Sequence, residues 1–143
     1  MCSIMVKVYT QVIKLKTSEK FQLVDITEAV EEIVRKSGVV NGVTLVFAPH
    51  ATVAIIANEH ESGLVADIIQ KVKEITEPGN PKWKHNIVDS NAHAHIGSAI
   101  IGAERVFPVV GGKLVRGTWQ NIFLLEMDGP RHAREVYVVV MGE

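Results

Sequence analysis

Residues 105–141 read RVFPVVGGKLVRGTWQNIFLLEMDGPRHAREVYVVVM, and this stretch decides the fold. It holds four strand candidates: Arg105–Val110, Lys113–Arg116, Gln120–Glu126 and Arg134–Met141. Gly111-Gly112 signals a hairpin, because consecutive glycines supply the positive φ angles a tight turn needs. Asp128-Gly129-Pro130 marks another turn. Hairpin-linked strands with few crossover helices predict an α+β fold with a mainly antiparallel, sandwich-like sheet. Val138–Val140 is apolar on both faces, which predicts a strand that is central or covered on both sides.

Working outward, residues 3–16 alternate as a strand, with an apparent phase change near Thr10–Val12. Lys20–Val24 is a second short strand candidate. Asp25 then opens a helix, with Glu28 three residues on as in a capping box, and Gly38 is its natural stop. Val43–Ala48 and Thr52–Ala57 are strand-like, broken by Pro49-His50. A second main helix covers roughly Glu61–Thr76, and Pro78-Gly79-Asn80-Pro81 ends it. Residues 82–96 are polar and His-rich, and Ile96–Ile101 is a candidate short helix.

The chain has 143 residues, 47% hydrophobic and 22% charged, which fits one globular domain over 1–143. A net charge of −1 argues against non-specific nucleic-acid binding, which needs a basic surface. The single cysteine, Cys2, excludes an intrachain disulfide and points to a reducing, cytoplasmic setting. The first residues do not read as a signal peptide, and no apolar stretch approaches the ~20 residues that span a bilayer. No membrane association is expected.

Chemistry concentrates in the histidines. Three of the six lie within one short stretch: His85, His93 and His95. Imidazole is the commonest protein ligand for zinc-like ions. On an extended segment His93 and His95 share a side; on a helix they diverge by about 200° and at most one serves a common site. His50, beside Pro49, is a possible contributor from a distance. Loop histidines are also often mere surface or capping groups, and the spacing matches no short zinc motif. Asn58-Glu59-His60-Glu61-Ser62 reads either as a polar helix start or as a placement of Glu59 in a pocket, as general base or ligand. Asp89 and Asn91 interleave with the histidines. The basic set Lys113, Arg116, Arg131 and Arg134 offers guanidinium forks for an anion, or surface ion pairs with Glu126 or Asp128.

Together, His50-Ala51-Thr52, Asn58-Glu59, Asp67, Trp83-x-His85, Asp89-x-Asn91-Ala92-x-Ala94-His95, Gly112-x-Leu114-x-x-Gly117-Thr118-Trp119-Gln120 and Glu126-x-Asp128-Gly129-Pro130-Arg131 resemble the YjbQ family. Its members are also called secondary thiamine-phosphate synthase enzymes. The resemblance runs from about Tyr9 to Gly142. It implies an α+β fold, a homotrimer, and a histidine pocket near a subunit boundary that can hold a divalent metal ion. His85, His95 and then His50 are the implied ligands. Glu59 and Asp89 are the implied proton handlers, with Asn58, Asn91, Arg116 and Arg131 toward a small phosphorylated substrate. His93 falls at a variable position of the pattern, and His60 and His132 fall outside it.

The implied reaction joins a pyrimidine diphosphate to a thiazole phosphate. An imidazole site favours zinc-like ions, whereas diphosphate chemistry commonly uses magnesium. Two further expectations stand beside it: metal-dependent hydrolysis, and a non-catalytic trimer that binds a small anion.

Overall fold

The computed structural model describes residues 5–143. Cys2 and the first two residues of the expected 3–16 strand lie outside them. In chain order the elements are β1 (Lys7–Thr17), β2 (Gln22–Asp25), α1 (Thr27–Ser37), β3 (Gly42–Phe47), β4 (Val53–Asn58) and α2 (Ser62–Thr76). A 3-10 turn (Lys84–Ile87) follows, then α3 (Ala92–Ile101), β5 (Glu104–Val110), β6 (Lys113–Leu114), β7 (Asn121–Glu126) and β8 (Arg131–Gly142). No helix among the described residues is long and apolar enough to cross a membrane.

The strands form two antiparallel sheets, one of five in the order β1-β8-β3-β5-β6 and one of three in the order β2-β7-β4. Val46, Phe107, Val109, Val136, Val138 and Val140 from the larger sheet meet Val53, Ile55, Ile122 and Leu124 from the smaller. α1 adds Val30, Ile33 and Val34 to that core. The other face of the smaller sheet carries Ala54 and Leu125 against Val72 of α2 and Ala94 of α3. The α+β, antiparallel expectation therefore holds, and the short helix expected beside the two main ones is present as α3. α3 starts at Ala92 rather than Ile96.

One sequence expectation holds in one of its two forms, since the Val138–Val140 strand is central, and one changes. The strand covered on both sides is β7: Ile122 and Leu124 face the larger sheet while Phe123 and Leu125 face the helices, all 0% exposed. β8 is central, but Tyr137 and Met141 on its outer face stay exposed. β1 also has no phase change near Thr10–Val12. It pairs with β8 in continuous register from Lys7 to Leu15, and its one irregularity lies between Leu15 and Thr17. The alternation misled because Val8 is an apolar residue on the outward face.

Local chemistry explains the helix ends. Gly38 closes α1 in the left-handed region at φ 71°, a conformation that favours glycine. Asp25 does not cap α1 directly. Its Oδ1 accepts from the Thr27 N–H at 2.9 Å and the Thr27 hydroxyl at 2.6 Å, one step upstream. Glu61 caps α2 by accepting from the backbone N–H groups of Gly63 and Leu64. Gly97 lets α3 approach the smaller sheet, since a Cβ there would sit 2.5 Å from Met127 Sδ.

Candidate functional site

The 3-10 turn and the first turn of α3 bring His85, Asn91 and His95 together. The His85 and His95 rings meet edge-on, with centroids 4.8 Å apart and planes at 71°. His85 Nε2 is 3.0 Å from Asn91 Oδ1. Asn91 Nδ2 donates to Asp128 Oδ2 at 2.9 Å, and Arg131 Nη2 donates to the same oxygen at 2.7 Å. These contacts fix the proton. An ionised carboxylate only accepts, so the Asn91 amide nitrogen must face Asp128 and its oxygen must face His85. His85 therefore donates through Nε2, and in the neutral imidazole the lone pair is on Nδ1. Asn91 is buried at 6% exposure, which holds the relay in place.

A cavity of about 320 Å³ opens beside this pair, lined by Trp83, Lys84, His85, Ala92, His95 and Ile96. Trp83 is anchored from behind: its indole N–H reaches the carbonyls of Thr76 and Glu77 at the end of α2. The wall is thus tied to the helix that packs on the smaller sheet.

The helical alternative for His93 and His95 is the one the chain adopts. His93 turns into the core at 0% exposure, with Nε2 2.9 Å from the Met127 carbonyl and its ring beside Phe21. Burial holds its pKa below the usual histidine value, and Lys20 and His95 push the same way. His93 Nδ1 has no hydrogen-bond partner among the described residues.

His50 goes elsewhere. Its Nε2 accepts the Glu135 N–H at 2.9 Å. Burial and the nearby Arg134 charge lower its pKa. Among the described residues, no group of three or more His, Cys, Asp or Glu side chains is arranged to hold a metal ion. Within one chain the set His50, His85 and His95 does not fit a three-imidazole centre, because His50 spends the ring nitrogen it would offer on a backbone amide.

The remaining candidates separate. Arg131 belongs to the His85 relay, but its guanidinium is held by the Asp128 side chain and carbonyl. Asp89 accepts from the Ser90 N–H and shapes the turn after His85. Asn58, Glu59 and Arg116 lie at the opposite end of β7, where Asn58 pairs with Asn121. The five steps from Asn121 to Glu126 span roughly 17 Å at strand geometry. Asn58 Oδ1 accepts from the Glu59 N–H, and Arg116 donates to Glu31, Gly117 and Gln120. Sequence reasoning missed Asp128 as the anchor of the relay. The signal was its place in the Asp128-Gly129-Pro130-Arg131 turn, directly after the doubly buried strand.

Residues 11–143 match the family described as UPF0047 protein YjbQ-like. A UPF0047 protein of Methanothermobacter thermautotrophicus is 41% identical over 99% of this chain and 98% of its own length. UPF0047 protein YugU of Bacillus subtilis is 32% identical over 91% of this chain and 97% of its own. The crystal structure of a YbjQ-like protein of unknown function from Sulfolobus solfataricus superposes with a TM-score of 0.96 at 59% identity, covering 97% of this chain and 100% of that one.

These relatives correct the functional expectation. None of them points to thiamine-phosphate synthase or transferase activity, and among the described residues the side chains form no three-ligand metal group. The expected reaction joining a pyrimidine diphosphate to a thiazole phosphate is therefore not borne out, nor are metal-dependent hydrolysis and the non-catalytic anion-binding trimer. What the full-length matches do establish is kinship: this chain belongs to the UPF0047 family as a YjbQ-like member.

Proposed function

We propose that the pocket between the 3-10 turn and α3 is an acid–base catalytic site, in which His85 moves a proton on a small organic molecule held against Trp83 and Ile96. One observation carries this reading: the Asp128–Asn91–His85 relay orients an imidazole and leaves Nδ1 as its free lone pair. A general base needs that combination of a fixed ring, a defined tautomer and an open nitrogen. His95, in edge contact with His85 on the same cavity wall, is the second imidazole available to the bound molecule.

The test is incubation of the protein with a small-molecule cell extract, followed by mass spectrometry. Wild type depletes at least one compound, and His85→Ala leaves it untouched with the fold retained by circular dichroism. Identical extracts after treatment with wild type and His85→Ala would end the reading.

We also propose that the protein works as a homotrimer in the cytoplasm. The outer face of the larger sheet supports the assembly. Its side chains line up in cross-strand rows: Val8–Met141–Val43–Pro108, Thr10–Val139–Leu45–Val106 and Val12–Tyr137–Phe47–Glu104. All but Thr10 and Glu104 are apolar, and apolar patches of this kind mark contact surfaces. One cysteine in 143 residues suits a reducing compartment.

A further inference from the structure

Flat rings make up half the lining of the cavity beside His85, which is formed by Trp83, Lys84, His85, Ala92, His95 and Ile96. Ala92, His95 and Ile96 share one face of α3, since residues three and four apart are neighbours on a helix. Ala92 is buried and Ile96 half-buried, so this face is largely apolar. Trp83 adds carbon surface. Its single polar atom is already satisfied by the carbonyls of Thr76 and Glu77 behind the wall, which leaves the indole ring for a ligand. His85 and His95 add two imidazoles in edge contact. Phe, Trp and Tyr together make up only 6% of the chain, so this concentration of planar groups is local. It favours a flat ring as the body of the ligand, because rings gain from offset and edge-on contact beyond the area they bury.

The one lysine or arginine at this cavity is Lys84, and no Asp or Glu lines it. Among the described residues Lys84 Nζ has no carboxylate within ion-pair distance. The acids of the neighbouring loops are engaged: Asp128 accepts from Asn91 and Arg131, and Asp89 accepts from the Ser90 N–H. A lysine ammonium is a compact charge on a flexible stem, so it meets a carboxylate without the fork geometry that arginine imposes. One positive charge balances one negative charge. A ligand with two or more would leave the excess against Trp83, Ala92 and Ile96, and unpaired charge is costly beside apolar surface. The volume of about 320 Å³ lies at the low end of the ~300–1,000 Å³ typical of small-molecule pockets, which suits one ring with a short arm.

We propose that this cavity binds a flat aromatic monocarboxylate, with its ring against Trp83 and Ile96 and its carboxylate on Lys84. Calling that molecule a substrate rests on the acid–base reading of His85, whereas the fit rests on the lining alone. Lys84 is exposed and Ala92 is buried, so the ring enters first and the carboxylate stays toward solvent. Recognition makes and breaks no covalent bond. Both halves of the ligand are needed: the ring supplies contact area, and the single charge sets which end faces out.

The experiment is a titration of the nitrogen-labelled full chain, followed by NMR at the Trp83 indole N–H. Trp119→Phe assigns that signal, because the chain holds only two tryptophans. The probes share one frame: 3-phenylpropionate, 3-phenylpropan-1-ol without the charge, and 3-cyclohexylpropionate without the flat ring. The proposal predicts that 3-phenylpropionate shifts the Trp83 signal and that each of the other two binds about threefold or more weakly. Lys84→Met, at an exposed position that leaves the fold intact, brings the phenyl acid and the phenyl alcohol to equal affinity. No shift at Trp83 with millimolar 3-phenylpropionate would overturn the proposal. So would a wild type that does not prefer acid over alcohol or phenyl over cyclohexyl, or an acid preference that survives in Lys84→Met. These titrations read binding and the extract experiment reads turnover, so the ligand class and the catalytic reading can fail separately.

Discussion

Glu126 Oε2 lies 2.6 Å from Arg134 Nη2, and both side chains are buried, at 0% and 7% exposure. The other carboxylate oxygen accepts from Arg134 Nε and from the Thr17 hydroxyl, and the N–H groups of Met127 and Asp128 both donate to Oε2. One carboxylate therefore ties β1, β7 and β8 together and sets the backbone from which Asp128 reaches Asn91. Removing one partner strands a buried charge. Glu126→Ala should cost about 3–5 kcal/mol in urea unfolding. Glu126→Leu with Arg134→Met should cost clearly less, because no charge is left without a partner.

Acid unfolding should follow the carboxylates. Burial raises the pKa of Asp25, but hydrogen bonds from Thr27, Asn121 and His60 outweigh it and bring it down to about 2. Burial likewise raises Glu126, and Arg134, Thr17 and the Asp128 N–H outweigh it and hold it low. A depressed carboxylate stabilises the fold above its unfolded pKa and loses that contribution as pH falls through its folded one. The carboxylates' share of the stability should hold down to about pH 4, then fall steadily toward pH 2. Asp25→Asn should flatten part of that acid limb in pH-dependent urea titrations.

The histidines act from the opposite direction. His93 and His50 both have pKa values lowered by burial, so the unfolded chain takes up their protons more readily than the fold does. Stability is then full above the ordinary histidine value of about 6.5 and declines as pH drops below it. His93→Gln keeps a donor for the Met127 carbonyl and removes the titration. Its stability should vary less than wild type between pH 7.5 and 5, by thermal melts in matched buffers.

In its neutral form, His85 should carry its proton on Nε2 by nitrogen NMR. Asn91→Leu removes the acceptor that imposes it, and the His85 signals should shift toward the tautomer mixture of a free side chain. An unchanged tautomer in that variant would mean that Asn91 does not orient the ring.

Light scattering should find about three protomers for the assembled protein, in keeping with closed rings of identical copies. Val139 sits in the middle row of the outer sheet face. Val139→Lys should shift the protein to monomer while leaving circular dichroism unchanged. A wild-type monomer at micromolar concentration would remove the outer face as an assembly surface.

Much of the fold was legible because it rests on local rules. Gly111 and Gly112 both adopt positive φ, as the hairpin requires, and Gly38 and the proline-rich stretch after Thr76 end helices where expected. His85, Asn91 and His95 were legible as a group, since one turn and one helix start hold them near in sequence. The rest depends on pairing at long range. His60 meets Asp25 only because β7 lies between their strands, and Arg134 meets Glu126 only through the turn at Asp128. Glu126 did leave a trace: it falls in phase with Ile122 and Leu124, the inward positions of β7. A charge in that phase announces a buried partner. Val8 shows the converse, an apolar residue whose outward position looked like a break in the strand's rhythm.

β7 has no face toward solvent, and both of its neighbours are antiparallel partners in a sheet only three strands wide. Its amides at Phe123, Leu124 and Leu125 can meet deuterium only when the whole domain opens, so they should be the slowest to exchange and should report the global unfolding free energy. The His85 relay and the His60–Asp25 pair hang from the two ends of this strand. Each can loosen by fraying its own loop while the strand between them stays shut, which makes them separately movable parts on one rigid bar.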